Sequence, residues 1–168
     1  MQLSAYLRQK PLTSFALAVI VVGGVLFIAL PLIAPAHAYP LAPGDSIVSW
    51  NWKGAYQDGG ADEQKTQAEI QRLSGQLGNG KDYELYVGIA SEYELLGEGH
   101  RVYEYLSRAI AKDGKRGLAY MNMGHLMEIL GAFRTARNAF DAAIAAEPGN
   151  PLYVSARTDF VARHPNNQ

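Results

Sequence analysis

Residues 83 to 116 read "YELYVGIASEYELLGEGHRVYEYLSRAIAKDGKR", and residues 117 to 150 read "GLAYMNMGHLMEILGAFRTARNAFDAAIAAEPGN". The two stretches are equal in length and align end to end without a gap, Tyr83 over Gly117. Tyr86 falls on Tyr120, Glu94 on Glu128, Leu96-Gly97 on Leu130-Gly131, and Ala109-Ile110-Ala111 on Ala143-Ile144-Ala145. Ala90 meets Gly124, Val102 meets Ala136, and Leu106 meets Phe140. Self-similarity at a fixed period signals a repeat architecture.

Within each copy the pattern is that of a helical hairpin. Tyr86, Ile89, Ala90 and Tyr93 share one face by the three-and-four spacing of a helix, and so do Tyr120, Met123, Gly124 and Met127. Ala90 and Gly124 are small where the second helix must come close. Ala109 and Ala143 are small for the same reason on the second helix. Gly97 and Gly131 suit the left-handed residue that ends a helix. Pro148 removes a donor that the last helix no longer needs. The spacing predicts turns near 97–99, 113–116 and 131–132.

Outside the two copies, residues 62–77 predict a short helix with Asp62 as N-cap and a thin stripe of Ile70, Leu73 and Leu77. Gly78, Asn79 and Gly80 end it. Residues 150–163 predict a last helix, with Asn150 as N-cap, Pro151 at the first helical position, and Leu152, Ala156 and Phe160 on its apolar face.

The second copy carries Tyr120, Met123-Gly124, Met127, Ala136, Phe140 and Pro148 in register, with Ala143 as a further small position. This resembles the tetratricopeptide repeat. The first copy departs from that pattern at Val102, Leu106 and Gly114, and the resemblance covers residues 83–150, under half of the 168-residue chain. The resemblance implies an all-α fold: a short right-handed α-solenoid of helical hairpins. Repeats at 83–116 and 117–150 would make up its centre. A capping helix over 151–163 closes one end and the helix from residue 62 the other, giving a repeat domain over 62–165. Terminal helices of this kind supply the stability that two repeats alone lack.

The N-terminal part has a different character. Residues 1–13 carry Arg8 and Lys10, and residues 14–36, "SFALAVIVVGGVLFIALPLIAPA", carry no charge. A run of this length can cross a hydrocarbon core as a helix. The positive residues before it keep residues 1–13 in the cytoplasm and send the rest across. The expectation is a single-pass signal-anchor in the cell membrane, with the C-terminal domain on the non-cytoplasmic side. The alternative is a signal peptide cleaved after Ala38, at "AHA", giving a secreted or periplasmic protein; the apolar run exceeds the roughly 7–15 residues usual for such signals. Residues 37–61 are rich in proline and glycine and predict a tether. Trp50, Trp52 and Tyr56 within it suit either a membrane interface or docking on the domain.

Composition narrows the function. Lys and Arg number 15 against 16 Asp and Glu, a balance unlike the basic face of a nucleic-acid binder. The chain has no cysteine, which removes disulfides, thiol nucleophiles and thiolate metal sites. His37, His100, His125 and His164 stand far apart, and no pair has metal-ligand spacing. Neither a phosphate loop nor a nucleophile motif is present. The expectation is therefore a protein that is no enzyme and needs no cofactor or metal.

The resemblance to the repeat family implies a groove lined by the first helix of each pair. Its positions here are Glu84, Val87, Ser91, Glu94 and Leu95, then Leu118, Met121, His125, Glu128 and Ile129. Family members that grip acidic C-terminal peptides use lysines, arginines and asparagines there, a set this chain lacks. An apolar and acidic groove suits an apolar or basic protein segment. The expected function is a membrane-tethered scaffold or recruiter. The alternatives are a permanent subunit or assembly factor of a membrane complex and, in another class, an envelope enzyme with an unrecognised site.

Overall fold

The computed structural model describes residues 19–22, 25–28 and 38–166. The chain divides into two units, Met1–Ala34 and Pro35–Gln168.

In the first unit, strand β1 (Val19–Val22) pairs antiparallel with β2 (Val25–Ile28), with Val19 opposite Ile28 and Val22 opposite Val25. The helix expected over 14–36 is thus not formed at these eight residues. Val19, Ile20, Val21, Val22, Val25 and Ile28 are β-branched and favour extended backbone, and the dipeptide between the strands in sequence is Gly-Gly, a composition suited to a hairpin link. The rest of the run lies outside the described residues. Among the described residues, no helix is long and apolar enough to cross a membrane.

The second unit is helical. Its elements are α1 (Ala61–Ser74), α2 (Asp82–Leu95), α3 (Gly99–Lys112), α4 (Gly117–Ile129), α5 (Phe133–Ala146) and α6 (Pro151–Arg163). Each helix packs on its neighbours in sequence, and α6 also reaches α4.

The two central hairpins repeat in detail. In the register that sets Tyr86 on Tyr120, α3 and α5 begin and end at matching positions, Gly99 with Phe133 and Lys112 with Ala146. After α2, the Glu98 N–H donates to the Tyr93 carbonyl at 3.1 Å and the Gly97 N–H to that of Glu94 at 3.0 Å. After α4, Ala132 donates to Met127 at 2.8 Å and Gly131 to Glu128 at 3.1 Å. Gly97 has φ +70° and Gly131 φ +77°. Both turns are therefore Schellman caps at matching positions, which satisfy carbonyls that the helices leave unpaired. The helix crossings are matched in volume rather than in residue type. A Cβ on Gly124 would come within 2.7 Å of the Phe140 ring, so the second hairpin pairs a glycine with a large ring. At the matching positions the first hairpin has Ala90 and Leu106, both buried. Phe140, Ala143, Ala109 and Ala136 are wholly buried.

At the C-terminal end, Asn150 Oδ1 accepts the Leu152 N–H at 3.1 Å and caps α6, with Pro151 at its first position. Tyr153, Ala156 and Phe160 bury the inner face of α6. At the other end, α1 begins after Gly60, and Asp62 sits in its first turn rather than at the cap. Asp58 accepts the Gly60 N–H at 2.8 Å and Glu63 that of Gly59 at 2.6 Å, so carboxylates fix the approach to the helix, and no side chain caps its first turn. The helix stops at Ser74, so Leu77 packs from the following turn against Ile70, Ile89 and Leu96.

The segment expected to be a tether is docked from Tyr39 to Tyr56. The Trp52 N–H donates to the Gly97 carbonyl at 3.2 Å and the Tyr56 N–H to that of Leu95 at 3.1 Å. Trp50 packs on Tyr103 and edge-on to His100. Both tryptophans lie against the helical core.

Candidate protein-binding surface

The first helices of the two hairpins carry the ten positions expected to line a groove, in matched pairs: Glu84 with Leu118, Val87 with Met121, Ser91 with His125, Glu94 with Glu128, and Leu95 with Ile129. The pairs fare differently. Val87 and Met121 are each only 9% exposed and belong to the core, so they are not groove contacts. Helices α2 and α4 are flanked by helices on more than one side, and this row faces a neighbour. Leu118 is half-buried against the same core. Glu84, Ser91 and Glu94 are exposed, and Ile129 is 52% exposed. The Ser91 hydroxyl donates back to the Val87 carbonyl at 3.1 Å, within its own helix.

Two of the three acids are already partnered. Arg116 donates to Glu84 and lies 3.8 Å from the centre of the Tyr83 ring. That bond holds the Glu84 carboxyl below its ordinary range. Glu128 accepts from Arg163 Nε at 2.8 Å and Nη2 at 3.0 Å, and His164 Nε2 stands 2.8 Å away. The Arg163 bonds first, then the His164 contact, lower its pKa against the opposing effect of burial. Arg163 and His164 close α6 onto α4, and neither is among the expected site residues. Arg163 follows Ile129 at the spacing by which Ile129 follows Leu95, so the repeat register extended one step further points to it.

His125 Nδ1 is 3.9 Å from Glu128 and its ring meets Phe140 edge-on. Among the described residues, no group of three or more His, Cys, Asp or Glu side chains is placed to hold a metal ion. Beside Tyr120 a cleft of about 450 Å³ is lined by Gly114, Lys115, Ala142, Ala145 and Ala146. Its counterpart in the first hairpin, about 200 Å³, is lined by Tyr86, Arg108, Ala111 and Lys112. Arg108 and Lys112 stand where the second hairpin has Ala142 and Ala146, and they narrow it.

A second constellation, unforeseen from the sequence, lies where residues 39–45 bridge α3 and α5. The Tyr39 N–H donates to Ser107 Oγ at 3.1 Å, and the Tyr103 hydroxyl donates to the Tyr39 carbonyl. The Ala42 N–H donates to Thr135 Oγ1 at 2.9 Å. Arg134 donates to the Pro43 carbonyl at 2.9 Å. Asp45 Oδ2 accepts from the Thr135 N–H at 2.7 Å and from its hydroxyl at 2.8 Å. Burial, with smaller contributions from Tyr120 and Asp141, pushes the Tyr39 phenol up to about 12. A Pro-Gly turn signal at 43–44 is legible in the sequence; its docking site, some 90 residues away, is not.

The strip of Glu84, Ser91, Glu94, Leu95, His125 and Ile129 thus remains as surface with both apolar and acidic character. Set against known protein families, curated proteins and solved structures, the chain matches none.

Proposed function

We propose that this chain is a membrane-tethered protein-interaction module of the tetratricopeptide type, which recruits another protein on the non-cytoplasmic side. The observation that carries the reading is the paired Schellman turns at Gly97 and Gly131, one repeat apart, each inside a hairpin whose first helix leaves part of its row at the surface. Repeat stacks use such rows as extended binding strips. The exposed pair of Glu94 and Ile129 favours a partner segment that is apolar with a basic residue beside it.

The anchor is the uncharged run 14–36. An isolated two-stranded hairpin leaves edge amides and carbonyls unpaired, which a hydrocarbon core does not tolerate. On insertion the run becomes a helix, whose backbone groups are satisfied internally. Cleavage after Ala38 is the second reading, and one observation favours it: Tyr39, the residue that would become the new N-terminus, is itself docked on the helices. Carbonate extraction followed by N-terminal sequencing separates the two. Retention in the membrane with an intact N-terminus supports the anchor, and a mature chain starting at Tyr39 supports cleavage.

Replacing Glu94 and Ile129 together by lysine tests the binding strip. Both positions are at the surface, and lysine is a good helix former, so helicity holds. Co-purification of partners with the full chain drops, because like charge now faces a basic segment. A folded double variant that keeps every partner removes the strip from consideration.

A further inference from the structure

Ser107 and Thr135 are polar side chains set among apolar neighbours, 1% and 0% exposed. A buried hydroxyl without a partner is costly. Here the partners come from the chain's own residues 39–45: the Tyr39 and Ala42 amides donate to these two hydroxyls, and the Asp45 carboxylate accepts from Thr135. Around them, Tyr103 and Arg134 donate to the Tyr39 and Pro43 carbonyls. Four of these contacts read the backbone of an extended segment and one reads a carboxylate. That carboxylate also caps α5. Ala132, at the N-cap position, offers no side-chain acceptor, and Asp45 takes the N–H of Thr135, the third helical residue, in its place. The Asp45 N–H bonds the Ala42 carbonyl at 3.0 Å, and Gly44 has φ +87°, the geometry of a type II turn that aims the carboxylate at the helix.

We propose that the face bridging α3 and α5 is a docking site for an extended peptide, filled here by the chain's own residues 39–45 as an exchangeable strap. The site takes a proline-containing segment with an aromatic residue at its start and an acid six positions later, as in Tyr39 and Asp45. It lies on the second helices and stands independently of the first-helix strip. Two features make the strap separable from the helices. Between the Asp45 clamp and Trp50 the chain is held less closely: Ile47 packs on the core, while Ser46, Val48 and Ser49 are exposed, Val48 at 98%. Beyond Tyr56 it joins α1 through Gly59, which has open space around it.

The test inserts a protease site between Gly59 and Gly60 of the full chain in detergent, cuts it after folding, and follows whether the fragment ending at residue 59 co-elutes with the helical fragment. Synthetic peptide 39–57 is then added in excess. The expected result is that the helices keep their circular dichroism and the peptide displaces the strap. The same peptide with Asp45→Ala should need about tenfold or more higher concentration, the loss usual for a hydrogen-bonded charge. A Thr135→Val chain should show the same weakening toward the unaltered peptide. If the fragments separate on cutting, the peptide is titrated directly onto the emptied helices, and saturable binding supports the proposal. Loss of helicity on cutting, a strap that no peptide displaces, or equal competition by the Asp45→Ala peptide overturns it.

Discussion

At Gly97 the turn between α2 and α3 lies against the Trp52 carbonyl and the Gly54 amide, and a Cβ there would collide with both. At Gly131, one repeat further on, the same turn has nothing within 4 Å of where a Cβ would begin. Each glycine is required by its positive φ, and only the first is also required by crowding. The first hairpin has its turn sealed by Trp52–Gly54, the continuation of the strap. The second is covered from the other side, where His164 stacks 4.4 Å from Phe133 and bonds Glu128. Two hairpins of one backbone design are thus completed by unlike flanks, the residues before the repeats and those after them. The repeat fixes the helices and turns, and what remains available for binding depends on which flank lies over it.

The strongest way to break the equivalence is at the matched crossings. Phe140→Ala removes a wholly buried ring packed between Gly124 and Phe160, and should cost about 3–5 kcal/mol. Leu106→Ala, its counterpart, should cost about 2–5 kcal/mol. Adding Gly124→Ala to the Phe140→Ala chain fills part of the cavity and should recover stability, whereas Gly124→Ala alone should lower it. Urea denaturation of the four chains reads this directly. If Gly124→Ala is neutral in the parent, the close approach of α4 to α5 is wrong.

Next come the turn glycines. Gly131→Ala pays for left-handed backbone alone, about 1–2 kcal/mol. Gly97→Ala adds overpacking against the strap, a further amount of about 1–3 kcal/mol. It should also shift the emission of Trp50 and Trp52, the only two tryptophans in the chain, which Gly131→Ala leaves unchanged. Equal effects of the two substitutions would mean that the strap does not press on Gly97.

The smallest effect is electrostatic. The folded pKa of Glu128 lies below its ordinary value of 4.5, so its pairing with Arg163 stabilises the protein above that value and is lost as pH falls through the folded one. Arg163 is half exposed, and solvent screening keeps the contribution at about 1 kcal/mol or less. Glu128→Gln should therefore lower the thermal midpoint slightly at pH 7 and match the parent in acid. A difference that persists unchanged at low pH would point to packing rather than charge.

How far the sequence can be read follows from the range of each interaction. The turns near 97–99, 113–116 and 131–132 and the Asn150 cap rest on contacts a few residues apart, and glycine, proline and asparagine announce them. Asp62 is misleading as a cap because the helix starts one residue before it, after Gly60, a boundary that residue type alone does not set. Val87 and Met121 resemble groove residues because position on one helix does not say how many neighbours flank it. The docking of Tyr39 and Asp45 is invisible in the sequence because backbone amides, which every residue has, meet hydroxyls on helices far along the chain. The run 14–36 is legible only as apolar, which suits a membrane helix, while its valines and isoleucines equally suit the pairing of Val19–Val22 with Val25–Ile28.

The strap's hydrogen bonds also set an order of assembly. Those of Tyr39 and Asp45 span 64 to 90 residues, while each hairpin closes between helices adjacent in sequence. A chain made from its N-terminus at about 5–20 residues per second exposes Asp45 for roughly 5–20 s before Thr135 exists. During that interval Ala42 and Asp45 lack their partner on α5, whereas Gly97 and Tyr103, the partners of Trp52 and Trp50, are made before it ends. The hairpins can fold as they emerge, Tyr39 can dock once α3 is present, and the Ala42–Asp45 part of the strap can close only after α5 has formed. Residues 42–45, early in the sequence, are therefore among the last to reach their native place.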